Sequence, residues 1–261
     1  MSESLTTNAD RPPPAFSDEA LAVRFAERHA PSLRFIAGWG RWMAWDGKVW
    51  ARDETMAAFD LARAICRQAA AERNDARQAQ NVASAKTVAA VERLARADRR
   101  LAATVDQWDQ NPMVLNTPGG VIDLMDGQIR PHRAEDYLTR ITAVSPDGTC
   151  PRFLAFLDQI TGADADLVAY IWRVLGYSLT GSTREQALFF AYGTGANGKS
   201  VLLSTASRIM GSYAKSAPAE AFMATRGDRI PNDIAALRGA VSPRRSKLTK
   251  GNTGRKLASN S

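Results

Sequence analysis

The sequence predicts an α-rich α/β fold, and three observations carry that expectation. Between Gly47 and Pro112 there is neither glycine nor proline, and Ala, Arg, Glu and Gln dominate with apolar residues at helical spacing. Two short apolar patterns each surround an Asp-Gly pair, Asp46-Gly47 and Asp126-Gly127, the local signature of a β-hairpin turn. Near residue 190 an apolar run leads through a glycine-rich turn into a helical pattern. Together these describe a helical N-terminal region with small β-hairpins, followed by the first part of an α/β domain.

Bulk composition narrows the class. The 261 residues are 45% hydrophobic and 23% charged, ordinary for a globular chain that can bury a sizeable core. A formal charge of +7 suggests an anionic partner, but its placement weakens that inference. Arg244, Arg245, Lys247, Lys250, Arg255 and Lys256 put +6 in residues 241–261, leaving +1 for the rest. Two cysteines, Cys66 and Cys150, fit a reducing compartment and predict neither a disulfide nor a metal site. No apolar run approaches the ~18 residues of a membrane span, and the N-terminus lacks a signal-peptide pattern. The expectation is a soluble, cytoplasmic protein with no membrane partner.

Taken in order, residues 1–16 are polar, end in Pro12-Pro13-Pro14 and predict a disordered lead-in. Ser17 is placed to cap a helix carrying Leu21 and Phe25. Phe35 to Trp50 reads as a hairpin with four tryptophans, Trp39, Trp42, Trp45 and Trp50. With Arg41, Lys48 and Arg52 these rings offer a stacking platform for single-stranded nucleic acid, although cementing a small sheet is the reading we prefer. Two helices follow. Phe59, Ala62, Ile65, Cys66 and Ala69 stripe the first, and Val88, Val91, Leu94, Leu101, Val105 and Trp108 the second. Glu72–Asn81 between them is either a turn or an exposed helical arm.

Asn116–His132 forms the second hairpin, and His132, with no Cys or His partner at ligand spacing, is structural. Pro146-Asp-Gly148 and Cys150-Pro151 mark the boundary between a domain of residues 17–150 and one of residues 151–240. Pro151 starts a helix bearing Phe153, Phe156, Leu157 and Ile160, and Asp164 or Asp166 starts the next. Asn232 is placed to cap a short final helix. Residues 241–261 complete the chain as a basic, disordered tail.

The chemistry concentrates in Gly193-Thr194-Gly195-Ala196-Asn197-Gly198-Lys199-Ser200, the spacing of a phosphate-binding loop. Backbone N–H groups must approach a polyphosphate closely, which glycine permits, and a helix starting at Lys199 points its positive end at the anion. All eight residues are candidate nucleotide contacts for ATP. Lys199 is the candidate catalytic residue, a point charge on the outer phosphates, and the Ser200 hydroxyl is the candidate ligand of Mg²⁺. Ala187–Tyr192 is expected to be the short buried strand that leads into the loop.

The order of these pieces resembles the phage and plasmid primase-helicase family, whose ATPase is of the superfamily 3 helicase type. The resemblance rests on Trp42-x-x-x-Asp46-Gly47-Lys-x-Trp50, on Asn116-Thr-Pro-Gly-Gly-Val-Ile-Asp-Leu124 through Pro131-His132, on Phe153–Leu179, and on Tyr192–Ser200. Asn232-Asp-Ile-Ala-Ala-Leu-Arg-Gly239 is similar to the family's segment before its second ATPase motif. The family implies ATP hydrolysis by a homo-oligomeric ring that moves on single-stranded DNA and opens replication origins.

One departure tempers the expected activity. Hydrolysis calls for an apolar strand ending in Asp or Glu, and the acids after Ser200 are Glu220, Asp228 and Asp233, none so placed. Where the strand should follow Ala240 the chain turns basic, which suggests a copy interrupted after the phosphate loop. A remnant that binds nucleotide or DNA without turnover is therefore the alternative reading. A small-molecule kinase is disfavoured, because single-domain kinases of this loop type usually begin with it.

Overall fold

A computed structural model of the chain describes residues 12–217 and 242–245. Seven α-helices and small sheets of two to four strands lie among the described residues, an α-rich α/β architecture. The chain divides into two units. One comprises residues up to Gln110 together with His132–Thr139, and the other Asn111–Pro131 with everything from Arg140 onward. The second hairpin lies within the later of these two units.

In the first unit, α1 (Asp18–His29) begins where the Ser17 hydroxyl accepts from the Ala20 N–H at 3.2 Å. Helix α2 (Ala57–Ala71) is started from a distance by Asp53, whose carboxylate accepts from the N–H groups of Ala57 and Ala58. Asp75 and Ser84 cap α3 (Ala76–Val82) and α4 (Ala85–Ala95). The segment between the two long helices is therefore largely a third, short helix, and only its Val82 is buried.

Helix α4 ends at Ala95, earlier than the apolar pattern through Trp108 predicts. Asp98 turns the chain, its carboxylate accepting from the Arg100 N–H and its carbonyl from the Leu101 N–H. Leu101 is thereby carried to β1, where its carbonyl accepts from the Phe35 N–H. Leu94, expected in the stripe, is exposed.

The sheet of this unit comprises β1 (Leu33–Ile36), β2 (Arg41–Trp45), β3 (Trp50–Arg52) and β4 (Ala102–Ala103), in the order β3-β2-β1-β4. The Asp46-Gly47 pair joins β2 to β3 as predicted, while β4 adds to β1 in parallel. Leu21, Phe25, Ile65, Cys66, Val88, Val91 and Trp42 pack between the helices and the sheet. Ile36, Met43, Trp50, Ala103 and Trp108 form a second cluster. The tryptophans therefore serve mainly as core: Trp42, Trp50 and Trp108 are buried, and only Trp39 of the hairpin is exposed. One charge is buried with them. Glu92 accepts from the Trp42 indole N–H at 2.6 Å and from both prongs of the Arg96 guanidinium at 2.8 Å. Burial, reinforced by the Asp18 charge, pushes the Cys66 thiol up to about 11, so it behaves as an inert small side chain.

In the second unit β5 (Val114–Thr117), β6 (Gly120–Asp123) and β7 (Ile129–Arg130) form an antiparallel meander. Gly120 is required there, since a Cβ would stand 2.6 Å from the Arg130 carbonyl oxygen. Asn116 is fully buried and donates its backbone N–H to the Tyr213 hydroxyl and its carboxamide to the Arg140 carbonyl. Three helices follow, α5 (Pro151–Thr161), α6 (Ala165–Tyr177) and α7 (Lys199–Ile209). Pro151 opens α5, and Asp164 caps α6 by accepting from the Leu167 N–H at 3.0 Å.

Two expectations fail in this unit. Ala187–Tyr192 forms no strand; Leu188, Phe189, Phe190 and Tyr192 stand exposed. An isolated apolar run has no strand geometry of its own and needs a paired neighbour, and no described strand lies beside it. Ser242–Arg245, expected within a disordered tail, pairs as β9 in parallel with β8 (Ala214–Ala217). The rest of the tail and the helix expected after Asn232 lie outside the described residues.

Candidate nucleotide site

The glycine spacing translates into backbone shape between residues 193 and 200. Gly193 adopts φ +141° and Gly198 φ +78°, both conformations that side chains disfavour. Ala196 adopts the left-handed region at φ +62°, so three of the six residues 193–198 have positive φ. Gly198 then serves as the N-cap of α7, whose first helical residue is Lys199. Its Leu202 N–H is bonded back to Gly198, and the N–H groups ahead of it are left to other acceptors.

Helix α5 supplies the floor. A Cβ on Gly198 would stand 2.4 Å from Ile160 Cγ2 and 3.2 Å from Phe156 Cε2. The loop is therefore pressed onto one turn of α5, where Phe156 and Ile160 sit four residues apart. Phe156, Gln159 and Ile160 together with residues 193–201 line a concavity of about 680 Å³. The structure thus brings all eight sequence-predicted residues to one cavity.

Lys199 lies half-buried over the loop. Its ammonium donates to the Gly193 carbonyl at 3.1 Å, the Thr194 carbonyl at 3.0 Å and Asn197 Oδ1 at 2.6 Å. Ser200 is exposed in the first turn of α7, where its hydroxyl is accessible. Cation, exposed hydroxyl and helix N-terminus on one concavity fit a phosphate chain carrying a divalent ion. Among the described residues there is no group of three or more His, Cys, Asp or Glu that could hold a metal ion.

Two features of the site leave no mark in the pattern. Phe156 and Ile160 read in the sequence as the apolar stripe of their own helix, and only the structure makes them the floor of the loop. Asn197 reads as a loop contact, and its bond to Lys199 appears only in the folded loop.

A comparison with protein families matches residues 22–162, just over half the chain, to the family described as D5 N terminal like. The chain belongs to the D5 N-terminal-like family. This D5-like segment corresponds to the N-terminal part of phage and plasmid primase-helicase proteins, which places the chain among replication-associated proteins of that kind. The D5-like segment takes in most of the first unit, the meander β5–β7 and all of α5, and it ends before the phosphate loop. A comparison with curated proteins finds no match. Among the described residues no helix is long and apolar enough to cross a membrane.

Proposed function

We propose that residues 193–200 bind the phosphates of ATP with Mg²⁺, and that the chain is a nucleotide-binding, primase-helicase-associated protein of a phage, prophage or plasmid. Lys199 neutralises the outer phosphates. The N–H groups of the loop and of the first turn of α7 donate to the phosphate oxygens, and the Ser200 hydroxyl holds the metal. Single-stranded or origin DNA is the nucleic-acid partner consistent with the family. The observation that carries the reading is the posture of Lys199, held by its own loop at the start of α7 with Gly198 seated on α5.

The geometry of Lys199 and Gly198 bears on binding of the phosphates, and hydrolysis calls for a further carboxylate. None of Glu220, Asp228 and Asp233 ends an apolar strand in the sequence, the position from which a carboxylate would complete the hydrolytic site.

Titration with a fluorescent ATP analogue in the presence of Mg²⁺ tests the reading. Lys199→Ala removes hydrogen bonds to a charged ligand and should weaken binding by about 10- to 100-fold. Equal affinity in parent and variant would place any nucleotide elsewhere. A DNA-stimulated ATPase assay, with the same variant as control, then asks whether bound nucleotide is turned over.

A further inference from the structure

The three acceptors around Lys199 have a consequence for how a nucleotide enters. An ammonium has three N–H donors and no more, and all three are used within the loop. A phosphate oxygen therefore takes a Lys199 N–H only when one of these partners lets go. Two of the partners are backbone carbonyls, those of Gly193 and Thr194, held by a loop whose glycines already adopt demanding conformations. The third, Asn197 Oδ1, is the shortest contact at 2.6 Å and the only one carried on rotatable side-chain bonds. The other end of that carboxamide lies across the loop: a Cβ on Gly193 would stand 2.6 Å from Asn197 Nδ2. Asn197 Nδ2 therefore lies against Gly193, and glycine at 193 leaves the room it occupies.

We propose that Asn197 is a latch on the phosphate loop: its Oδ1 competes with a phosphate oxygen for the third N–H of Lys199, and nucleotide binds by turning the carboxamide away. The proposal rests on the nucleotide reading of the loop and adds to it a residue that sets affinity by opposing the ligand. It also separates Asn197 from Gly193 and Thr194, whose competing acceptors are backbone carbonyls and not a side chain free to rotate.

Two substitutions pull in opposite directions. Asn197→Ala removes the competitor and should tighten Mg-ATP by about 3- to 10-fold, less than a full charged hydrogen bond because the site is only half-buried. Asn197→Asp puts a carboxylate on the ammonium and a like charge beside the phosphates, and should weaken Mg-ATP by more than about 10-fold. Equilibrium titration of the full 261-residue chain with Mg-ATP, and separately with inorganic triphosphate, reads both effects. The same order with triphosphate alone supports a latch at the phosphates, whereas an effect confined to ATP would overturn it. Asn197→Ala binding no more tightly than the parent, or Asn197→Asp binding as well as the parent, overturns the latch while leaving the site intact. Parent binding that does not depend on Lys199 overturns the site itself.

Discussion

Trp50→Ala is expected to unfold the first unit under conditions where the parent is fully folded. Trp50 is 1% exposed, and its indole N–H donates to the Ala134 carbonyl at 2.8 Å. Its ring stacks on Tyr137 at 6.1 Å with planes 9° apart, meets Trp108 edge-on at 5.6 Å and carries the Arg34 guanidinium at 5.4 Å. Truncating such a side chain costs about 3–5 kcal/mol, out of a total of roughly 5–15 kcal/mol for a domain. The Ala134 carbonyl loses its partner in addition. Urea unfolding followed by far-UV circular dichroism should show the midpoint of one transition falling steeply. Trp39→Ala, by contrast, removes a ring that is 36% exposed and should move that midpoint little. If both variants behaved alike, the cluster around Trp50 would contribute little to the stability of this unit.

Gly198→Ala should cost more than about 30-fold in nucleotide affinity, by a route independent of any lost ligand contact. The residue sits at φ +78°, where a Cβ costs about 1–2 kcal/mol, and overpacking against Ile160 adds about 1–3 kcal/mol. The loop then lifts from α5 or Ile160 is displaced, and either change alters the geometry of the N–H groups. A double variant separates the two contributions. Gly198→Ala with Ile160→Ala removes the 2.4 Å collision but keeps the backbone penalty, so affinity should recover in part. Full recovery would mean that the left-handed conformation is unimportant, and no recovery that α5 is not the floor of the site.

Much of this architecture was legible because it is encoded locally. Ser17, Asp164 and Pro151 announce helix starts through their own hydrogen-bonding and conformational preferences, and Asp46-Gly47 closes its hairpin for the same kind of reason. The loop from Gly193 to Ser200 belongs to this class, since the spacing of its glycines is the backbone shape. What the sequence concealed depends on distant partners. Helix α4 stops at Ala95 without a glycine or proline, because Asp98 turns the chain so that Leu101 can reach β1. The parallel addition of β4 to β1 leaves no local trace, and neither does the addition of β9 to β8. Leu188–Tyr192 has the composition of a strand but lacks a neighbour to pair with among the described residues.

The same division holds inside the site. Residues 193–200 could be named from their pattern, whereas the contribution of Phe156 and Ile160 arises only where α5 meets Gly198. Asn197 lies between the two cases. Its place in the loop was evident, and its bond to Lys199 follows from how the loop folds over itself.

The central claim, that nucleotide phosphates are bound by residues 193–200, is tested most directly by amide hydrogen exchange with and without Mg-ATP. Slower exchange confined to the loop, the first turn of α7 and the adjoining turn of α5 is the predicted result. Saturating Mg-ATP that leaves these amides unchanged, or that protects a different segment instead, would contradict it.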